Sequence, residues 1–284
     1  MNYPIHPHHE LTRGASMSLT ADLVALCHRD IPEPPRDPDA VRFTDADYDC
    51  AATEVLSEFA DGPIWVFAYG SLLWKPAVDI AEQRRCIAHG WHRSFCLEMR
   101  SWRGSPEQPG LMMALRRGGS CAGIAQRPLG QDRHSLMVRL LRREIGGPKG
   151  YAALRLIELL SDEGPLRALC FYANPPEVTD KPELPAERIA SILARACGHV
   201  GSGAEYLFKT VAALQAANIQ DPHLWHLQDL VAKEIRMIHF RPVGLQYGPA
   251  PVSFRSFESD TRHQGDRNET GAGPVTKRRD RNAA

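Results

Sequence analysis

Six consecutive apolar residues, Ile64, Trp65, Val66, Phe67, Ala68 and Tyr69, end abruptly at Gly70. A run that short, β-branched and aromatic, and without alternation, predicts a strand buried on both faces. Residues 85–99, 111–116 and 121–126 also carry strand patterning, and Gly118-Gly119-Ser120 predicts a turn joining the last two. Across 131–145 the period changes. Met137, Leu140 and Leu141 recur at helical spacing until Gly146-Gly147-Pro148 stops the run. Residues 151–160 and 166–173 predict a hairpin around Asp162-Glu163-Gly164, and helical patterns follow at 185–197, 204–217 and 222–237. Strands first and helices afterwards predict an α+β domain.

The flanks read differently. Residues 1–62 predict an N-terminal arm: a short helix at 18–27, an extended stretch at 31–38 with four prolines, and a helix from Thr44 to about residue 60. Asp45 and Asp47 sit in the first turn of that last helix. Residues 63–240 form the expected core domain, and 241–284, rich in Gly, Pro, Arg and Asp, read as a disordered tail.

Composition then narrows the classes. Lys and Arg number 34 and Asp and Glu 34, so the 284-residue chain has no net charge, a poor basis for binding nucleic acid. The cysteines number seven, an odd count, and no Cys-x-x-Cys pair occurs; single buried or half-buried thiols in a reducing compartment are expected. No apolar stretch approaches the ~20 residues that span a bilayer. The His-rich start has no signal-peptide core, so a cytoplasmic protein is expected. Met17 is an alternative start.

Three places can carry chemistry. At Tyr69-Gly70-Ser71-Leu72 a glycine after a strand lets the backbone present several N–H groups to a carboxylate or oxyanion. On spacing alone a plain strand-ending turn is the commoner outcome. The second is Glu144, which extends the stripe of Met137, Leu140 and Leu141 and so should point inward, with Arg142 and Arg143 on other faces. A carboxylate in an apolar setting has a raised pKa and shuttles protons near neutrality. The competing reading, equally compatible with the pattern, is a frayed helix end with Glu144 wet and paired to an arginine. The third is Tyr206, able to offer a hydroxyl to a substrate or simply to pack with Leu207 and Val211.

Other signals are weaker. His6, His8, His9 and Glu10 sit in a polar terminus, and His223 and His226 have no evident third ligand. Residues 146–150 lack phosphate-loop spacing, and Ser71 lacks the frame of a nucleophile elbow.

Several motifs, in order, resemble the ChaC-type γ-glutamylcyclotransferases, the bacterial branch most. They are Tyr69-Gly70-Ser71-Leu72 with its flanks, Gly90-Trp91-His92-Arg93-Ser94-Phe95, Arg103-Gly104-Ser105-Pro106, Gly118-Gly119-Ser120-Cys121, Arg142-Arg143-Glu144 and Gly203-Ala204-Glu205-Tyr206-Leu207. The resemblance runs from about residue 64 to 237. It implies a small, partly closed β-barrel with surrounding helices. It also implies cleavage of glutathione to 5-oxoproline and a cysteinyl-glycine dipeptide, with no metal or organic cofactor. By motif, the catalytic carboxylate is Glu144, the substrate loop is Tyr69, Gly70, Ser71 and Leu72, and Tyr206 lies near the site. Gln126 and Pro128, and the stretch 145–151, depart from the family pattern and bear on substrate preference. Two rival readings stand beside it: a cyclotransferase for other γ-glutamyl amines or amino acids, and a non-catalytic binding module on the same fold. Oligomeric state is left open.

Overall fold

The structure, a computed structural model, describes residues 16–240 apart from 36–37, 60–61 and 131. The His-rich start, the expected disordered tail and Gln131, the first residue of one expected helix, lie outside the described residues.

Five strands form a barrel: β1 (Val66–Ala68), β2 (Ile80–Met99), β3 (Gly110–Pro128), β4 (Arg155–Ser161) and β5 (Gly164–Cys170), closed in the order β1-β3-β2-β4-β5. β1 pairs antiparallel with β3 and, through Val66 and Leu169, parallel with β5. Its three residues are all buried, as the unbroken apolar run requires. The helices are α1 (Ala21–Ala25), α2 (Asp45–Ser57), α3 (Arg133–Glu144), α4 (Pro148–Ala152), α5 (Ala186–Arg195), α6 (Gly203–Ala216) and α7 (Pro222–His239). A two-stranded hairpin, β6 (Cys197–Gly198) with β7 (Gly201–Ser202), leads into α6. The architecture is α+β, with α5, α6 and α7 after the barrel. Among the described residues no helix is long and apolar enough to cross a membrane.

Three expectations need correction. Gly118-Gly119-Ser120 is not a hairpin turn but lies inside β3, which runs unbroken along β2. Positive φ at Gly118 (107°) and Gly119 (66°) lets the strand bend without ending, beside the register shift at Gly90 on β2. Tyr151 belongs to helix α4 rather than a strand, because Pro148 at its first turn is pre-set for helix. Finally, Cys50 is exposed, although five other thiols are buried and Cys96 is half-buried. Burial pushes Cys27 and Cys121 up to about 11 and Cys86 to about 12, leaving them protonated and unreactive.

The described residues before β1 pack into the same unit. Leu19 N–H donates to Gln228 Oε1 at 2.8 Å, and Cys27 Sγ approaches Ala194 O at 3.2 Å. Helix α2 starts from a capping box in which Thr44 and Asp47 satisfy each other's backbone N–H groups.

What places the turn after β1 is Arg93 on β2. Its side chain is 2% exposed. Nε donates to Tyr69 O at 2.7 Å, Nη2 to Ala122 O, and Nη1 pairs with Asp221 at 2.8 Å. Asp221 in turn caps α7 by accepting from Leu224 N–H. The exit of β1, strand β3 and the start of α7 are therefore held by one guanidinium. Arg93→Met leaves Asp221 without its counter-charge and two carbonyls without donors. It should lower unfolding free energy by about 3–5 kcal/mol, read from urea denaturation; a change within experimental error would show that the network carries no stability.

Candidate functional site

The turn follows directly from β1. After Tyr69 the chain bends at Gly70 into a short 3₁₀ turn, Ser71–Leu73. Each part of it is tied to a different element. Arg93 holds Tyr69 O, Gln126 Nε2 on β3 donates to Leu72 O at 3.1 Å, and Trp74 Nε1 donates to Thr210 on α6 at 3.1 Å. Ser71 N–H donates to the Tyr206 hydroxyl at 3.2 Å. A Cβ at Gly70 would lie 2.7 Å from that same oxygen, so only glycine admits the approach. This is more than strand-ending punctuation. The N–H groups of Gly70 and Leu72 have no hydrogen-bond acceptor among the described residues.

Tyr206 is 3% exposed and makes edge contacts with Trp74 and Phe95. It is thus both a packing residue and a polar one. Its oxygen accepts from Ser71, which leaves the O–H as a donor. Next to it, Glu205 is taken up by Arg103 Nη1 at 2.8 Å and Lys209 Nζ at 2.5 Å. The Arg103 guanidinium lies 5.4 Å from the Tyr206 ring centroid. Tyr69 is buried, and its hydroxyl donates to Phe171 O at 2.9 Å.

Glu144 is the last residue of α3, and its side chain is 13% exposed. Burial raises its pKa above the ordinary glutamate value, and the charge of Arg143 opposes this. The two readings of the helical pattern are both partly right. The carboxylate is indoors, yet Arg143 Nε stands 3.4 Å from its Oε1. The expectation that Arg143 lies on another face is corrected: neighbouring positions do not face each other on a helix, but α3 ends here and the long side chain folds back. Arg142 does turn away, pairing with Asp45 at 2.8 Å. Arg143 Nη1 is buried and has no hydrogen-bond partner.

Burial raises the pKa of three tyrosines, Tyr172 and Tyr206 to about 12 and Tyr69 above its ordinary value. The negative charge of Glu144 is the next cause at Tyr172, works against the Ser71 hydrogen bond at Tyr206, and is the smallest contribution at Tyr69. Buried thiols add to the effect at Tyr69. The carboxylate on α3, the turn after β1 and the tyrosine on α6 therefore share one electrostatic neighbourhood, although 75 and 62 residues of chain separate Tyr69, Glu144 and Tyr206 (144 − 69; 206 − 144).

The sequence reading did not single out Tyr172, Arg143 or Gln126 as site residues. Tyr172 OH donates to Glu144 O at 2.8 Å from a backbone at φ 52°. Nothing in its local pattern marks it. Gln126 carried a signal, a polar residue interrupting an apolar strand, and it was read only as a departure.

Comparison with known proteins follows the same boundaries. The family model described as ChaC-like protein matches residues 64–234. A glutathione-specific gamma-glutamylcyclotransferase of Escherichia coli is 34% identical over 165 residues, covering 58% of this chain and 71% of that protein. Glutathione-specific gamma-glutamylcyclotransferase 1 of Danio rerio is 28% identical over 180 residues, covering 62% and 92%. The crystal structure of the yeast enzyme specific to glutathione shares the fold, with a TM-score of 0.52 at 23% identity over 60% of this chain and 96% of that one. Matched over more than half its length, with the barrel, turn and buried carboxylate inside the match, the chain belongs to the ChaC-like family.

Proposed function

We propose that this protein is a γ-glutamylcyclotransferase that degrades glutathione, releasing 5-oxoproline and the dipeptide Cys-Gly. One observation carries the reading: a buried carboxylate of raised pKa, Glu144, whose charge is felt by the buried hydroxyls of Tyr69 at the turn and Tyr206 against it. The names of the relatives point to the same substrate.

The reaction suits so small a set of groups. In a γ-glutamyl amide the α-amine and the γ-carbonyl belong to one molecule and close a five-membered ring. Well-oriented intramolecular attack reaches effective molarities of ~10⁵–10⁸ M. Glu144 takes a proton from the α-ammonium. The freed amine attacks the γ-carbon, a C–N bond forms, and the carbonyl oxygen becomes an oxyanion. The protonated Glu144 then gives its proton to the departing amide nitrogen as the oxyanion re-forms the carbonyl and the old C–N bond breaks. The extra proton left on the ring nitrogen passes to the released amine, which leaves as an ammonium. The free N–H groups of Gly70 and Leu72 and the Tyr206 hydroxyl are the donors for the substrate's charged oxygens. Arg143, with one buried N–H lacking an acceptor, supplies the cation for the glutamyl α-carboxylate. The scheme calls on no metal or organic cofactor.

The first test is incubation with glutathione and assay of free 5-oxoproline, with γ-glutamyl-alanine alongside. Release from glutathione alone supports the reading; release only from the other substrate moves it to a different γ-glutamyl compound. No release from either leaves the binding-module reading.

Glu144→Gln should lower turnover by ~10²–10⁴-fold with substrate binding retained. Near-normal product formation would remove Glu144 from the mechanism. As a base it acts ionised, so kcat/KM should rise with pH through a limb above the ordinary glutamate range. The stability effect has the opposite sign. A carboxyl of raised folded-state pKa binds more protons folded than unfolded, so stability falls as pH climbs from the unfolded pKa through the folded one. Glu144→Gln should therefore be as stable as the parent, or more so, at neutral pH in thermal unfolding.

Arg143→Met should raise KM for glutathione about tenfold or more, and an unchanged KM would take the α-carboxylate away from Arg143.

A further inference from the structure

Residues 41–57 stand outside the family match, which begins at residue 64, yet they close over the helix end that carries Glu144. The last carbonyls of any α-helix lack donors within the helix. Here three successive carbonyls find theirs elsewhere. Glu144 O accepts from Tyr172 OH, as described above. Ile145 O accepts from Tyr48 OH of α2 at 2.7 Å in a buried bond, and Gly146 O accepts from Phe43 N–H at 3.2 Å. The next residue is in backbone contact with the same segment: a Cβ at position 147 would lie 2.4 Å from Val41 O. Around this seam, Arg142 pairs with Asp45 and stacks 4.6 Å over the Tyr48 ring, and Tyr151 OH donates to Glu54 at 2.7 Å.

The stretch that departs from the family pattern, 145–151, is thus the stretch that receives the N-terminal segment. We infer that the two departures are one device: the segment 41–57 is a positioning element for Glu144, with Tyr48 as its positioning residue and Gly147 as the place that lets it dock.

The physical route is through the backbone. Were Ile145 O and Gly146 O unsatisfied, the last turn of α3 would fray. Fraying swings the Glu144 carboxylate away from the turn 69–72 and lets water in. A hydrated carboxylate returns toward ordinary acidity and is a weaker base. The groups that face Glu144 are Arg143 on its own helix, Tyr172 after β5, Tyr69 at the exit of β1 and Tyr206 on α6. The N-terminal segment adds no charge to that set, since Asp45 and Glu54 are engaged by Arg142 and Tyr151. It acts by placement alone.

This rests on the proposal that Glu144 transfers the proton, so Glu144→Gln is measured in parallel. The variants are full-length Tyr48→Phe, which removes one hydroxyl and keeps the ring, and Gly147→Ala, whose methyl collides with Val41 O. The control is Cys27→Ala, also N-terminal to the barrel but outside the segment 41–57 and packed against α5. The readout is 5-oxoproline release from glutathione across pH, below each variant's melting temperature. Both variants should lose about ten- to a hundredfold in kcat, with KM nearly unchanged, and the acid limb of kcat/KM should move to lower pH. Cys27→Ala should move neither kcat nor the limb. A merely structural arm would lower melting temperature in all three and leave the pH profile in place. That outcome, with Glu144→Gln inactive, overturns the inference alone; an active Glu144→Gln overturns the reading beneath it.

Discussion

Arg93 is the point at which barrel, turn and helical layer meet. An ionised guanidinium so deeply buried is tolerable only when its donors and its charge all find partners. Those partners are Tyr69 O, Ala122 O and Asp221, and they come from three parts of the chain that only the finished fold brings together. Any packing in which the turn after β1 sits elsewhere strands a charge in the interior. The same turn is gripped from its other side by Gln126 and Tyr206. Rigid placement of the turn is therefore a condition of folding as well as a requirement of the chemistry.

At the end of α3, Glu144 is poised by competing influences. Desolvation raises its pKa and the nearby Arg143 pulls it back, with desolvation the larger. A carboxylate wholly dominated by Arg143 would be a poor base, and one with no cation nearby would hold its proton more tightly. Its position at the very end of α3 makes the balance depend on how that end is held. Tyr172, Tyr48 and the backbone of Phe43 do the holding, and none of them is near it in sequence.

What could be read from the chain alone follows from how local each signal is. The run 64–69 announced a fully buried strand because six apolar residues in a row leave no polar face to solvate. The stripe of Met137, Leu140, Leu141 and Glu144 announced a helix, because helical spacing is a property of neighbours, but left an inward and a wet carboxylate equally open at its end. Where the reading failed, the deciding contact was distant. Gly118-Gly119 looks like a hairpin turn in any short window; only the continuous partner strand β2 turns it into a bend. Tyr151 fits a strand by propensity until Pro148 and the docking of Phe43 against its ring make it part of a helix.

By itself, then, the sequence determined most of the elements, their order and, through motif order, the candidate acid–base residue, since periodicity, turn residues and motif order are written within short spans. The tertiary structure decided everything that depends on chain segments meeting. It closed the barrel through the short β1, turned Gln126 from an interruption into a clamp on Leu72, folded Arg143 back beside Glu144 and set the N-terminal segment against the end of α3. The reason is the same in each case. A buried polar group must find a partner, and which partner it finds is settled by packing across the whole molecule rather than by the residues beside it.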